Sequence, residues 1–180
     1  MNDTRSTHWA DMVAEDLMKS QSRQVLSTGI TPSGEFHVGH LREVLTAEGV
    51  FRALRDRGAE VHLHYIADSM DPLRRVYDFL DQARYASEVG KPLCDIPCPC
   101  GQHPSYAEHY LEPFLASVRK LGIELEVLRA HELYRQGRLD AQIITALRHT
   151  ADIKRILYEE TRKAVEDDWS PYNPLCAACR

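Results

Sequence analysis

The sequence predicts an α/β fold in which helices flank a parallel sheet. Three observations carry that expectation. Residues 25–30 and residues 61–66 are short apolar runs of strand length. Between them Leu41, Val44, Leu45, Phe51 and Leu54 repeat at helical spacing, and Gly58 offers a stop. The whole strand–helix–strand unit has the length of a parallel crossover.

The elements follow in order. Trp9, Met12, Val13 and Leu17 recur at helical spacing, so a helix is expected over residues ~8–19. The two strands and their helix come next. Residues ~72–104 are broken by Pro72, Pro92, Pro97, Pro99 and Pro104, and read as loop with short helical pieces. Tyr106, Tyr110, Phe114, Leu115 and Val118 mark another helix. A strand is expected near residues ~123–128, then helices at ~138–148 and ~151–165, the last capped by Thr150.

Composition bounds the function. A chain of 180 residues holds one good core, and 43% apolar with 27% charged residues is ordinary for a globular protein. A net charge of -5 argues against a surface that coats nucleic acid, though not against a local basic site. No apolar run approaches the ~20 residues of a membrane span. The start, MNDTRSTHWADM, lacks the apolar core of a signal peptide, so a cytoplasmic location is expected. Five cysteines in a reducing compartment favour thiols or metal ligands over disulfides.

The stretch TPSGEFHVGH, residues 31–40, carries the chemistry. It joins the first strand to the start of the helix, at the carboxyl edge of a parallel sheet, where open α/β folds bind ligands. Free N–H groups at a helix start attract anions. Gly34 suits a tight turn, and Gly39 lets a flat ligand approach without meeting a β-carbon. His37 and His40 then stand beside a bound phosphate and can donate hydrogen bonds as negative charge builds on it. The arrangement suits displacement at a nucleotide α-phosphate.

Residues 32–40, PSGEFHVGH, resemble the first signature of class I aminoacyl-tRNA synthetases, His-Ile-Gly-His, with Val38 in place of isoleucine. The wider text is similar to the class I lysyl-tRNA synthetases. His8-Trp9-Ala10-Asp11, Gly29-Ile30-Thr31-Pro32-Ser33-Gly34 and Leu41-Arg42-Glu43-Val44-Leu45-Thr46-Ala47 carry that likeness. So do Ile66-Ala67-Asp68, Asp71-Pro72-Leu73-Arg74, Ser105-Tyr106-Ala107-Glu108-His109 and Asn173-Pro174-Leu175-Cys176. His40 is a departure, because that family often has asparagine there; either side chain can donate to phosphate.

The resemblance implies a Rossmann-like, nucleotidyltransferase-type sheet, of which this chain is the N-terminal part. It implies a lysine–tRNA ligase that uses ATP with Mg2+ to make lysyl-adenylate and passes lysine to tRNA(Lys). Pro32, Gly34, His37, Gly39 and His40 would hold ATP, with His37 and His40 catalytic. Gly29 and Thr31 would bind lysine and the adenylate. Asp68, ending the second strand, could meet the lysine ammonium or a ribose hydroxyl, or simply cap its loop. His62 and His64 share one face of the second strand and read as structural. Arg74 and Arg75 read as a solvated pair.

Zn2+ is a further expectation. Cys94, Cys98, Cys100 and His103 put four donors close together, although Pro97 and Pro99 stiffen the backbone between them. Cys98, Cys100 and His103 are the candidate ligands there. Cys176 and Cys179 have knuckle spacing, which relatives complete further along. That pair either shares zinc with the first cluster or stands as an orphan.

The second class I signature, Lys-Met-Ser-Lys-Ser, has no equivalent here; the late lysines, Lys154 and Lys163, fall in helical patterns. The expected organisation is therefore residues 1–170 as the N-terminal part of the catalytic domain with the start of its insertion. Residues 171–180 would begin a zinc-knuckle element. The chain is expected to be a fragment, truncated product or split half, weak or inactive alone, with a C-terminal half or partner chain completing the site. Rival readings are a small nucleotidyltransferase, a non-catalytic remnant binding nucleotide, tRNA or a partner, and a zinc-binding interaction module.

Overall fold

Each strand of the sheet is preceded by a helix that covers the same side of it. In the computed structural model, which describes residues 8–174 and residue 176, α1 spans Trp9–Ser20. His8 caps it by accepting the Ala10 N–H at 3.3 Å. β1 follows over Arg23–Ile30, α2 over Val38–Asp56 and β2 over Glu60–Ala67. Gly58, at φ 77°, makes the left-handed turn that ends α2. β1 and β2 run parallel, in register from Arg23 beside Glu60 to Ile30 beside Ala67.

The long excursion after β2 is short-helical, as its prolines predict. It holds α3 (Gln82–Tyr85) and 3-10 turns at Ala86–Glu88 and Leu93–Asp95. It also builds a core of its own from Leu73, Leu80, Tyr85, Leu93, Ile96 and Tyr106. The Tyr106 hydroxyl donates to the Ser33 carbonyl at 2.7 Å, which ties this core to the loop after β1. α4 spans Tyr106–Lys120, with the Ser105 side chain accepting the Glu108 N–H. β3, Glu126–Arg129, then joins parallel to the far edge of β2, giving the order β1-β2-β3.

The strands' alternation decides the rest. Leu63, Tyr65 and Ala67 are buried on the helix side, Tyr65 and Ala67 in one core with Val44, Leu111, Phe114 and Val118, and partly buried Val61 packs into a core with Leu54. Burial of this apolar surface is the main stabilising term, roughly 25 cal/mol per Å². Across the layer, Arg129 of β3 grips Glu108 of α4 with two bonds of 2.7 and 2.9 Å.

α5 (Ala130–Arg135) follows β3 directly. The chain divides into two compact units, residues 1–131 and residues 132–180. The second contains α6 (Asp140–Arg148) and α7 (Thr150–Thr161), and neither helix buries a residue.

Four expectations are corrected. β3 starts at Glu126 rather than near 123, because Ile123 is used to close the turn after α4, its N–H reaching the Val118 carbonyl. α5 was not foreseen; six residues carry too little helical period to be seen. α7 ends at Thr161 rather than 165, where Arg162 turns left-handed at φ 58°. Thr150 does not cap it. Its hydroxyl donates to the Leu147 carbonyl, and His149 takes the cap position with its ring 3.2 Å from Asp152.

Candidate active site and metal centre

The loop after β1 turns over the carboxyl edge of the sheet. Pro32 is fully buried. Phe36 stacks on Phe114 with ring centres 4.3 Å apart, which anchors the loop on α4. These contacts fix where α2 begins.

His37 is the N-cap of α2, and its Nδ1 accepts the Gly39 N–H at 3.0 Å. His40 reaches back, so that its Nδ1 accepts the His37 N–H at 3.0 Å. The two rings lie 3.9 Å apart. A ring nitrogen that accepts a backbone proton carries none of its own, so each neutral imidazole holds its proton on Nε2. Both caps thereby turn an N–H donor away from the backbone. Burial lowers the His40 pKa, and the neighbouring His37 lowers it further against the opposing pull of Glu43. The expected row of bare backbone donors is replaced, at Gly39, by imidazole donors.

Glycine is required at position 39 for this cap. A β-carbon there would meet the His37 ring at 2.8 Å. Gly29 has a different reason: a β-carbon would lie 2.6 Å from the Ile66 carbonyl oxygen on β2. Gly34 is not in the left-handed region; its space is taken by Phe79, 3.1 Å from where a β-carbon would stand.

Thr31 and Asp68 come together at the strand ends. The Asp68 N–H donates to the Ile30 carbonyl at 3.1 Å, and the Thr31 hydroxyl donates to Asp71 at 2.6 Å. Burial raises the Asp68 pKa, with Asp71 adding to it. Arg74 is exposed and 4.0 Å from Asp71. Tyr65, close by on β2, is fully buried and its hydroxyl has no hydrogen-bond partner among the described residues. Asp71 and Tyr65 were not among the predicted site residues; nothing in their spacing marks them. A cavity of about 540 Å³ adjoins the tip, lined by Phe36 and His37 on one side and by His103 and His109 on the other.

Beyond that cavity lies the second cluster. Cys98, Cys100 and His103 converge with His109, while Cys94 turns its sulfur toward Met70 at 3.9 Å. The sulfurs of Cys98 and Cys100 are 3.4 Å apart. Each lies 3.3–3.5 Å from the Nδ1 atoms of His103 and His109, which are themselves 3.4 Å apart. Six nearly equal edges describe a tetrahedron whose centre is about 2.1 Å from each corner, the length of a Zn–N bond and about 0.2 Å short of a Zn–S bond. The residues thus fit a zinc ion. Burial raises the Cys98 thiol pKa, but hydrogen bonds from His103 and Cys100 outweigh it and bring it to about 5. His103 turns its other nitrogen toward Glu112, 3.7 Å away, a charge behind the ring too distant for a hydrogen bond. His109 escaped sequence reasoning because it sits on α4, in the first turn after the Ser105 cap. Cys176 is exposed in the second unit, and Cys179 lies outside the described residues.

A parallel sheet whose first crossover helix begins at paired imidazoles is an α/β architecture of the class I synthetase type. A family model described as tRNA synthetases class I (K) matches residues 7–180, and the chain belongs to that family. Lysine–tRNA ligase 1 of Methanosarcina acetivorans is 52% identical over 172 residues, which is 96% of this chain and 32% of that relative. Lysine–tRNA ligases of Methanosarcina barkeri and Archaeoglobus fulgidus are 51% and 48% identical, covering 32% and 35% of their lengths. The chain therefore spans about a third of the curated relatives it matches.

Proposed function

We propose that this chain supplies the ATP- and lysine-binding part of a class I lysine–tRNA ligase. The observation that carries the proposal is the pair of caps that leave His37 and His40 with outward Nε2 protons at the sheet's carboxyl edge. In the reaction, a lysine carboxylate oxygen attacks the α-phosphorus of ATP, which arrives with Mg2+. The bond to the β-phosphate oxygen breaks, and pyrophosphate leaves. His37 and His40 donate to oxygens whose negative charge grows in that step. Pro32, Gly34 and Gly39 shape the loop and tip around them. Gly29, Thr31 and Asp68 line the place for the aminoacyl moiety, and a half-buried Asp68 suits an ammonium group. A terminal ribose hydroxyl of tRNA(Lys) then attacks the carbonyl carbon of lysyl-adenylate, the bond to the phosphate oxygen breaks, and AMP leaves with lysine esterified to the tRNA.

Zinc in the Cys98, Cys100, His103 and His109 tetrahedron is structural in this reading: its four corners are all protein atoms, which leaves no open position. Residues 1–170 belong to the catalytic domain, and residues 171–180, with Cys176 and Cys179, open a knuckle. The site of action is the cytoplasm. Among the described residues no helix is long and apolar enough to cross a membrane.

Calorimetric binding of ATP and of a non-hydrolysable lysyl-adenylate analogue tests the proposal. His40→Ala and His37→Ala are each expected to weaken ATP binding about tenfold or more, the worth of a hydrogen bond to a charged group. The alanyl analogue should bind more weakly than the lysyl one. ATP binding unchanged in both variants would overturn the site; equal affinity for the two analogues would overturn lysine.

A further inference from the structure

The sheet face turned away from the helices carries another convergence of ligands. In a strand, residues two apart point to the same side, so His62 and His64 of β2 stand together there. The parallel register places Glu126 of β3 directly beside His64. Nδ1 of His62 is 3.6 Å from one Glu126 oxygen, and Nε2 of His64 is 3.2 Å from that same oxygen. All three ligand atoms lie within 4.8 Å of one another.

Those separations have a specific meaning. Two ligands held at about 2.0–2.1 Å from a tetrahedral metal are about 3.3 Å apart. The observed 3.2 and 3.6 Å bracket that edge. A second observation concerns the outer nitrogen of His62. Its Nε2 faces the Glu60 carboxylate at 3.9 Å, and Arg23 holds Glu60 at 3.2 Å. At that distance Glu60 makes no hydrogen bond, but its charge lies behind the ring while the opposite nitrogen, Nδ1, is the one turned toward Glu126. Glu60 and Arg23 are themselves paired across β1 and β2, so the sheet fixes this outer contact as well.

We infer that His62, His64 and Glu126 bind one divalent transition-metal ion of the zinc class. Two imidazoles and one carboxylate suit zinc, cobalt or nickel better than magnesium or calcium, which prefer all-oxygen surroundings. Three protein ligands leave a fourth position, and the His62 side chain is 42% exposed, so that position opens to solvent. This site contains no sulfur, unlike the tetrahedron at Cys98 and Cys100, and that difference makes it separable by experiment.

Cobalt(II) titration of the full chain is the test. The sulfur site gives intense thiolate-to-cobalt charge-transfer absorption, and a nitrogen–oxygen site gives weaker visible bands alone. The expected result is a cobalt equivalent beyond those that carry thiolate absorption. His64→Ala and Glu126→Gln should each lower its affinity at least tenfold and leave the thiolate bands unchanged. A wild-type chain without a thiolate-free equivalent overturns the inference. So does a thiolate-free equivalent whose affinity is undiminished in either variant.

Discussion

At the tip of α2, two imidazoles take backbone protons on Nδ1 and turn Nε2 outward. Across the neighbouring cavity, His103 and His109 aim the same atom, Nδ1, at two sulfurs and at each other, 3.4 Å apart. The side chains are the same, and Nδ1 is the accepting atom in both; what that atom faces differs, a backbone N–H at the tip and two sulfurs in the cluster. The tip pair is satisfied by its own helix and has donors to spare for an anion. The second pair and two thiols all aim at one centre; the thiol protons can be shared with the two Nδ1 atoms, and a cation at that centre would replace them. Ring orientation, set by local backbone, thus separates a pair suited to an anion from a pair suited to a metal ion.

The largest test of this contrast removes the cation. Binding that is a thousandfold tighter than the free metal concentration requires contributes about 4 kcal/mol of folded-state stability. For a domain of this size the midpoint of thermal unfolding should fall on the order of 10 °C on chelation. Cys98→Ser should reproduce the loss, and elemental analysis should find one zinc fewer per chain. His40→Ala should move the midpoint little, since its cap is exposed. Equal melting with and without chelator would leave the tetrahedron of thiols and imidazoles without its ion.

A smaller test strikes the tip alone. Gly39→Ala puts a β-carbon 2.8 Å from the His37 ring, so the ring must leave its cap. Losing an N-cap costs about 1 kcal/mol, but alanine is favoured over glycine in a helix by about as much. Stability should therefore change by less than about 1 kcal/mol in urea unfolding, while ATP affinity falls several-fold. The opposite pattern, lost stability with intact affinity, would mean that the ring's place serves the fold and not the ligand.

Much of this was legible in the sequence, and the failures have a common physical origin. Patterns along the chain gave β1, α2 and β2, because a crossover repeats its apolar residues at a local period. The His37 and His40 pair was visible for the same reason: its partners lie within three residues. What stayed hidden depends on contacts between distant segments. His109 joins the cysteines only because α4 is packed so that its first turn faces the proline-stiffened loop. Glu126 meets His64 through strand register, which no periodicity reveals. Gly39 was read as room for a ligand, whereas its space admits the ring of His37. Gly29 likewise faces the Ile66 carbonyl, a neighbour 37 residues away in register on β2.

The finest test of the contrast is the titration of His40. Its pKa is lowered, first by burial and then by His37. A lowered histidine pKa means the folded state prefers the neutral ring. That preference is fully present above the ordinary value near 6.5 and is lost as pH falls from there through the lower folded value. Protonation must occupy Nδ1, the atom that accepts the His37 N–H, so acid should release that cap together with the charge change. Histidine NMR should place the His40 midpoint below the ordinary range. His37→Ala should raise it by removing the neighbouring ring that lowers it, and Glu43→Gln should lower it further by removing the opposing negative charge. A midpoint at or above the ordinary value would mean that neither burial nor His37 disfavours the charged ring, and that the cap at Nδ1 places no cost on its protonation.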